Sequence, residues 1–203
     1  MVEFRGSVAH TLMRRYVTKE SIEVVDEDRN YDAVWVFNDL MTDLKTSVDN
    51  YKNYEKLAEK NISSLNDENW RSLRRLTYFT IILNLCKLKE AYSFYGREIN
   101  EMDDDVKAAM KNIVKKVDQT KMLDFRNKYI CHVFNKVAGK RRVLSIQEGA
   151  DMLKVIVGES DEQQKSFRLW IYEESNEHCV VNVIYKIIKF FQSRAKSAQY
   201  RYK

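Results

Sequence analysis

The 203-residue chain contains no proline and only five glycines, and this absence limits its possible folds more than any other feature. Proline and glycine start, bend and close tight turns. A sheet protein of this length needs many such turns, whereas one built of long helices needs few. Apolar residues also recur at helical spacing over most of the chain. The expected fold class is therefore all-α, a bundle of five to seven helices.

Residues 1–29 are the least regular and are read as an N-terminal arm, with residues 30–203 forming the bundle. From about residue 31 to 62, Phe37, Leu40, Met41, Leu44, Val48, Tyr51, Ala58 and Ile62 follow one helical face. A break at residues 63–66 precedes a second helix, expected from about Glu68 to Tyr95 and closed by Gly96. Its middle is apolar on most sides, which marks it as the central helix. Asp103, Asp104 and Asp105 open a shorter helix that turns Val106, Met110, Ile113 and Val117 inward. A further helix is expected from about Lys121 to Val137, followed by a basic loop, Ala138 to Arg142. Ser145 and Glu148 have capping-box spacing and open a helix to Val157 that ends at Gly158. From Ser160 onward the chain reads as one helix with a break near Ser175 and Asn176, or as two.

Charge and cysteine usage narrow the function. Net charge +5 and a pI near 8.9 are compatible with a nucleic-acid partner but do not require one. Three well-separated cysteines, Cys86, Cys131 and Cys179, suggest a reduced cytoplasmic protein with no disulfide frame or zinc knuckle. Each cysteine, like His178, is expected to pack in the core. Glu3, Arg5, Arg14 and Arg15 interrupt any apolar leader. The apolar stretch Val180–Phe191 is too short, and too charged at Lys186 and Lys189, to span a bilayer. No phosphate-binding glycine loop, GxSxG or HExxH occurs, and neither a cofactor nor a metal is expected.

One segment carries chemistry. When residues 122–137 are wound at about 100° per residue, Met122, Phe125, Tyr129, Val133 and Val137 form an apolar face, widened by Leu123, Ile130 and Phe134. Arg126 falls near the middle of that face, with Asn127 and His132 on its borders. An arginine stays charged and is costly to bury alone, so an acidic partner, a second subunit or a phosphate must meet it. A second Arg-to-His pair, Arg5 to His10, is one residue closer, contains Gly6 and lacks the asparagine, and is set aside.

The pattern Arg126-Asn127, four residues, His132 resembles the signature of the HEPN superfamily, small helical bundles that include metal-independent ribonucleases of abortive-infection, toxin–antitoxin and CRISPR systems. The resemblance implies RNA as substrate, a homodimer with a composite site, and a defence-system or antitoxin partner. It implies that His132 serves as base or acid, Arg126 holds the phosphate and Asn127 orients either one. Two rivals stand beside it: a non-catalytic HEPN-like binding module, and an unrelated helical adaptor in which Arg126 is a structural ion-pair residue.

Around the motif, Thr77, Thr80, Asn84 and Lys87 form a polar stripe on the central helix, with Glu90 a turn further on. The stripe is read first as that helix's water-facing side. Read functionally, Asn84, Lys87 and Glu90 would line the site. Lys128, Lys140, Arg141 and Arg142 are the candidate RNA contacts nearest the motif. Other basic groups are Arg71, Arg74 and Arg75; Lys111, Lys115 and Lys116; and the tail from Arg194 to Lys203 with Tyr200 and Tyr202.

Overall fold

A computed structural model describes residues 19–59, 67–130, 134–137 and 140–195, and side chains within 29–59, 68–130 and 142–195. The fold is an all-α bundle, as the composition demands. Helix α1 spans Lys19–Glu59, α2 Asp67–Phe94, α3 Gly96–Ile99, α4 Asp104–Gln119 and α5 Met122–Phe125. A π-helical turn, Arg126–Ile130, follows, then strands β1 (Phe134–Val137) and β2 (Lys140–Val143). Helices α6 (Ile146–Val157), α7 (Asp161–Ile171) and α8 (Val180–Arg194) complete the described chain. No helix of the described residues is long and apolar enough to cross a membrane.

Helix α1 lies between α2 and α8 and packs on both. The core is the meeting of their apolar faces: Phe37, Leu44 and Val48 of α1, Ile81, Leu85 and Leu88 of α2, and Ile184, Ile187 and Phe191 of α8, all fully or almost fully buried. Phe37 stacks on Phe191 at 5.9 Å between ring centres. Full burial of such a side chain stabilises the fold by about 1.5–3 kcal/mol before chain entropy is counted. In α4, the four residues expected to face inward, Val106, Met110, Ile113 and Val117, are all buried.

Helix ends follow local chemistry. Ser145 and Glu148 form the expected capping box at α6, and Gly158, with φ of 97°, ends it in a conformation that favours glycine. Ser160 and Gln163 make a second box at α7. The region from Ser160 is two helices, α7 and α8. Helix α1 starts at Lys19, so the boundary drawn at residue 29 falls inside a continuous helix. Arg29 fastens it there, donating to Glu98 at 2.6 Å and to the Phe94 carbonyl at 2.5 Å. Gly96 opens the single turn of α3 rather than closing α2.

The main departure lies after Phe125. A helix to Val137 does not form: α5 passes into the π turn, and Phe134–Val137 pairs as a strand with Lys140–Val143. The basic segment at 140–142 is accordingly a strand, not a loop. Val133, Phe134, Val137 and Val143 are β-branched or aromatic and favour extended backbone. Gly139 sits between the two runs, with Val137 paired to Lys140 across it. Strand propensity competes with the helical period there and wins.

Candidate active site around Arg126

An aromatic clamp holds the motif segment on α2. Phe79 of α2 meets Phe125 edge-on at 5.6 Å and Tyr129 edge-on at 5.6 Å, while Phe125 and Tyr129 stack at 5.4 Å. From the other side, α6 places Gly149 against the Tyr129 ring. A Cβ on Gly149 would lie 2.0 Å from Tyr129 Cε2, so no larger residue fits with the ring in place. Lys121 enters the segment with φ of 56°, a left-handed conformation that costs a non-glycine residue about 1–2 kcal/mol. That strain and the π turn, a form that recurs at functional sites, flank the same few residues.

Arg126 reaches Glu90, one of the residues that line a groove between α1 and α2. Its Nη1 donates to Glu90 Oε1 at 2.5 Å, and its Nε donates to Asn127 Oδ1 at 3.1 Å. The acidic partner that an arginine in an apolar face requires is thus supplied by α2 of the same chain. The Glu90 side chain is about 61% exposed and that of Arg126 about 20%. An ion pair so open to water contributes about 1 kcal/mol or less, so an incoming phosphate can compete for the guanidinium.

Asn84, Lys87 and Glu90 line a groove of about 700 Å³ together with Asp39 and Asp43 of α1. Thr80, Lys87 and Glu90 are exposed, as expected of the helix's water-facing side, whereas Asn84 departs from it at 2% exposure. Its Nδ2 donates to the Thr80 carbonyl at 3.0 Å, and its Oδ1 has no hydrogen-bond partner among the described residues. A buried acceptor of that kind calls for a donor. Asp39, Asp43 and Glu90 give the groove three carboxylates against Lys87 and Arg126.

The other expected site residues fall in different places. His132 lies outside the described residues, so Arg126, Asn127 and Glu90 are brought together and the histidine's position is not described. The Lys140 and Arg141 side chains and the Arg5 and His10 spacing lie outside them too, as do Cys131, Tyr200 and Tyr202. Lys128 pairs with Asp124 at 3.3 Å on its own helical turn. Arg142 makes two hydrogen bonds to Glu148, one of 3.0 Å through Nη1 and the other through Nη2. That guanidinium, followed by the backbone N–H and hydroxyl of Ser145, lowers the Glu148 pKa from 4.5 to about 2. Cys86 and Cys179 are both fully buried, as expected. His178, by contrast, is exposed: it stands in the turn before α8, where its backbone N–H donates to Asn176 Oδ1 at 3.0 Å and its side chain has no core to enter. Among the described residues no cluster of three or more histidine, cysteine or acidic side chains could hold a metal ion.

Among the described residues the buried arginine is Arg168, which the sequence did not single out. Its Nη1 donates to the Tyr78 hydroxyl at 2.8 Å and its Nη2 to Glu55 at 2.8 Å. Its guanidinium also lies 3.9 Å from the centre of the Tyr51 ring.

No protein-family model matches the chain, and no curated protein matches it. A solved structure with a similar fold is that of integron cassette protein Vpc_cass2 from the mobile metagenome of V. paracholerae. The two align with a TM-score of 0.65 and 18% identity over 81% of this chain and 96% of that one. Likeness at that identity concerns the fold alone.

Proposed function

We propose that the chain is a HEPN-type endoribonuclease that cuts RNA without a metal and works as a homodimer in a bacterial defence or toxin–antitoxin setting. The observation that carries this reading is the water-exposed ion pair of Arg126 with Glu90, which lines a groove together with Asn84 and Lys87. The setting and the homodimer rest on the family resemblance of the Arg126, Asn127 and His132 pattern.

In the proposed step the RNA 2′-oxygen attacks the adjacent phosphorus. His132, or its counterpart in a second copy, takes the 2′-hydroxyl proton. The bond from phosphorus to the 5′-oxygen breaks, an acid returns a proton to that oxygen, and a 2′,3′-cyclic phosphate remains. Arg126, released from Glu90, holds the charged phosphorane by two hydrogen bonds. The unpartnered Asn84 Oδ1 suits an amino group on a base edge.

A second reading has its own observation. The three carboxylates of the groove repel phosphate, and the closed Arg126–Glu90 pair is what a non-catalytic module with a cationic partner would show. Activity separates the two. The ribonuclease should cut single-stranded RNA in EDTA and leave cyclic-phosphate ends. His132→Ala should abolish cutting and spare binding, and light scattering should find a dimer. Cutting that survives His132→Ala, or that stops in EDTA, overturns the mechanism. No cutting of any RNA returns the chain to the binding module.

A further inference from the structure

A second concave site lies between the first turns of α2, the end of α6 and the start of α7. It is a cleft of about 230 Å³ lined by Arg71, Arg74 and Arg75 of α2 and Lys154 of α6, over the apolar side chains of Leu153 and Val157. Arg71, Arg74 and Arg75 are spaced i, i+3 and i+4, so they crowd one face of the helix and repel one another.

The structure relieves little of that repulsion. Arg74 is held by Gln164, whose Oε1 accepts from its Nη2 at 2.6 Å and from the Tyr78 hydroxyl at 3.3 Å. The nearest carboxylate to Arg74 is that of Asp161, 3.7 Å away on an almost fully exposed side chain. Lys154 has only Asp151, at 3.7 Å. Arg71 and Arg75 form no ion pair with any described residue. Three guanidiniums, the central one fixed in place, therefore face a cleft in which no anion among the described residues neutralises them. The apolar floor beneath them suits a flat hydrophobic body attached to the anion.

We infer that this cleft binds one nucleotide of a single-stranded RNA, with its phosphate on Arg71, Arg74 and Arg75 and its base over Leu153 and Val157. The inference rests on the ribonuclease reading for the choice of RNA, and it resolves a difficulty in that reading. The groove beside Arg126 is acidic and cannot attract a phosphate backbone from a distance, whereas this cleft can. Arg75 precedes Glu90, the partner of Arg126, by fifteen residues of α2. That is about 22 Å along the helix and about 60° around it, so one strand lying along α2 reaches both.

The test uses the full chain and a fluorescent 12-nucleotide single strand, 2′-O-methylated so that it cannot be cut, with binding read by anisotropy from low to moderate salt. Arg71→Ala combined with Arg75→Ala should weaken binding at least tenfold at low salt. It should also flatten the dependence of log affinity on log salt by roughly 0.7 for each phosphate that is no longer neutralised. Arg71→Lys with Arg75→Lys should restore the salt slope. Lys111→Ala with Lys115→Ala, which removes equal charge from the exposed face of α4, should change affinity less than twofold. Equal losses in the arginine and lysine pairs, or none in the arginine pair, overturn the cleft. Displacement of the strand by micromolar adenosine 5′-monophosphate also overturns it, by showing a mononucleotide pocket instead. A strand that binds through the cleft while its unmodified counterpart is never cut leaves the cleft standing and removes the ribonuclease reading.

Discussion

Arg168 and Arg126 each hold a glutamate, in opposite surroundings. The Arg168 side chain is 7% exposed, donates to both Tyr78 and Glu55, and lies against the Tyr51 ring. Burial, and then Tyr51, raise the Tyr78 pKa well above its ordinary value against the lowering pull of Arg168, so its hydroxyl keeps its proton. Arg126 reaches Glu90 of the groove, which is largely in water. The first pair is locked by three groups on α1 and α2 and acts as a clasp between helices. The second pairs with a carboxylate that stands largely in water, and a ligand can compete for it there. A charged pair therefore marks a candidate site by how readily it can be exchanged, and an arginine in an apolar stripe does not by itself do so.

That contrast breaks most visibly at Arg168. Removing one member of a buried ion pair usually costs about 3–5 kcal/mol. Glu55 keeps access to water, so the expected loss for Arg168→Ala is at the lower end, about 3 kcal/mol. For a chain of this size that corresponds to a fall in Tm of roughly 6–12 °C. Arg168→Lys should recover little, since an ammonium cannot reach two partners and cover a ring as a planar fork does. A melting temperature within a degree or two of wild type for Arg168→Ala would dissolve the distinction between the two arginines.

Gly149→Ala tests the packing that aims Arg126. In most helices this substitution gains about 1 kcal/mol. Here the new methyl would meet the Tyr129 ring at 2.0 Å, and the π turn would have to shift. The expected result is a net loss of about 1–3 kcal/mol in denaturant unfolding. Tyr129→Ala in the same chain should remove most of that penalty, a strong coupling between the two positions. Additive effects would mean that α6 does not position the motif segment.

The long helices could be read from the sequence because each buries a single apolar stripe: the faces of α1 and α4 follow directly from the spacing of Phe37, Leu40, Leu44 and Val48 and of Val106, Met110, Ile113 and Val117. Glu90 was legible as an acidic neighbour, being a turn beyond Lys87 on the same helix. The hairpin was not, since Tyr129, Val133 and Val137 satisfy a helical period while Val133, Phe134, Val137 and Val143 have the β-branched or aromatic side chains that strands favour, and only Gly139 hinted at the choice. Arg168 was missed although the winding applied to Arg126 would have placed it one turn from Ile171, on the inward side of α7. Its partners, Glu55 and Tyr78, lie 113 and 90 residues away in the chain, beyond the reach of any local pattern.

Arg126→Ala is the counterpart of the Arg168 test. With Glu90 exposed, the substitution should lower stability by about 1 kcal/mol or less. Cutting of RNA, if present in wild type, should be lost. Glu90→Gln should leave the fold equally intact and make Arg126 easier to recruit, so RNA binding should tighten modestly. A large stability loss for Arg126→Ala with unchanged RNA binding would move Arg126 into the same class as Arg168 and leave Lys87 as the groove's cation.

A third pair, Arg142 with Glu148, stands at one helix end on the surface. Glu148 accepts two hydrogen bonds from Arg142 and closes the capping box of α6 with Ser145. Its pKa in the folded chain is about 2, against an ordinary 4.5. A carboxyl whose folded pKa is depressed stabilises the fold above its unfolded value, and that contribution fades as pH falls through the folded one. The first turn of α6 should therefore be held fully above pH 4.5 and loosen progressively towards pH 2. In a carboxyl-resolved NMR titration the Glu148 midpoint should lie near 2 and move up towards 4.5 in Arg142→Ala. It should stop short of 4.5, because the Ser145 N–H and hydroxyl still hold the charged form. The global melting temperature should barely change, since the pair touches only one helix end. A Glu148 midpoint that Arg142→Ala does not move would show that an exposed pair of this kind is geometry without energy, and that the gradation from Arg168 to Arg126 goes no further.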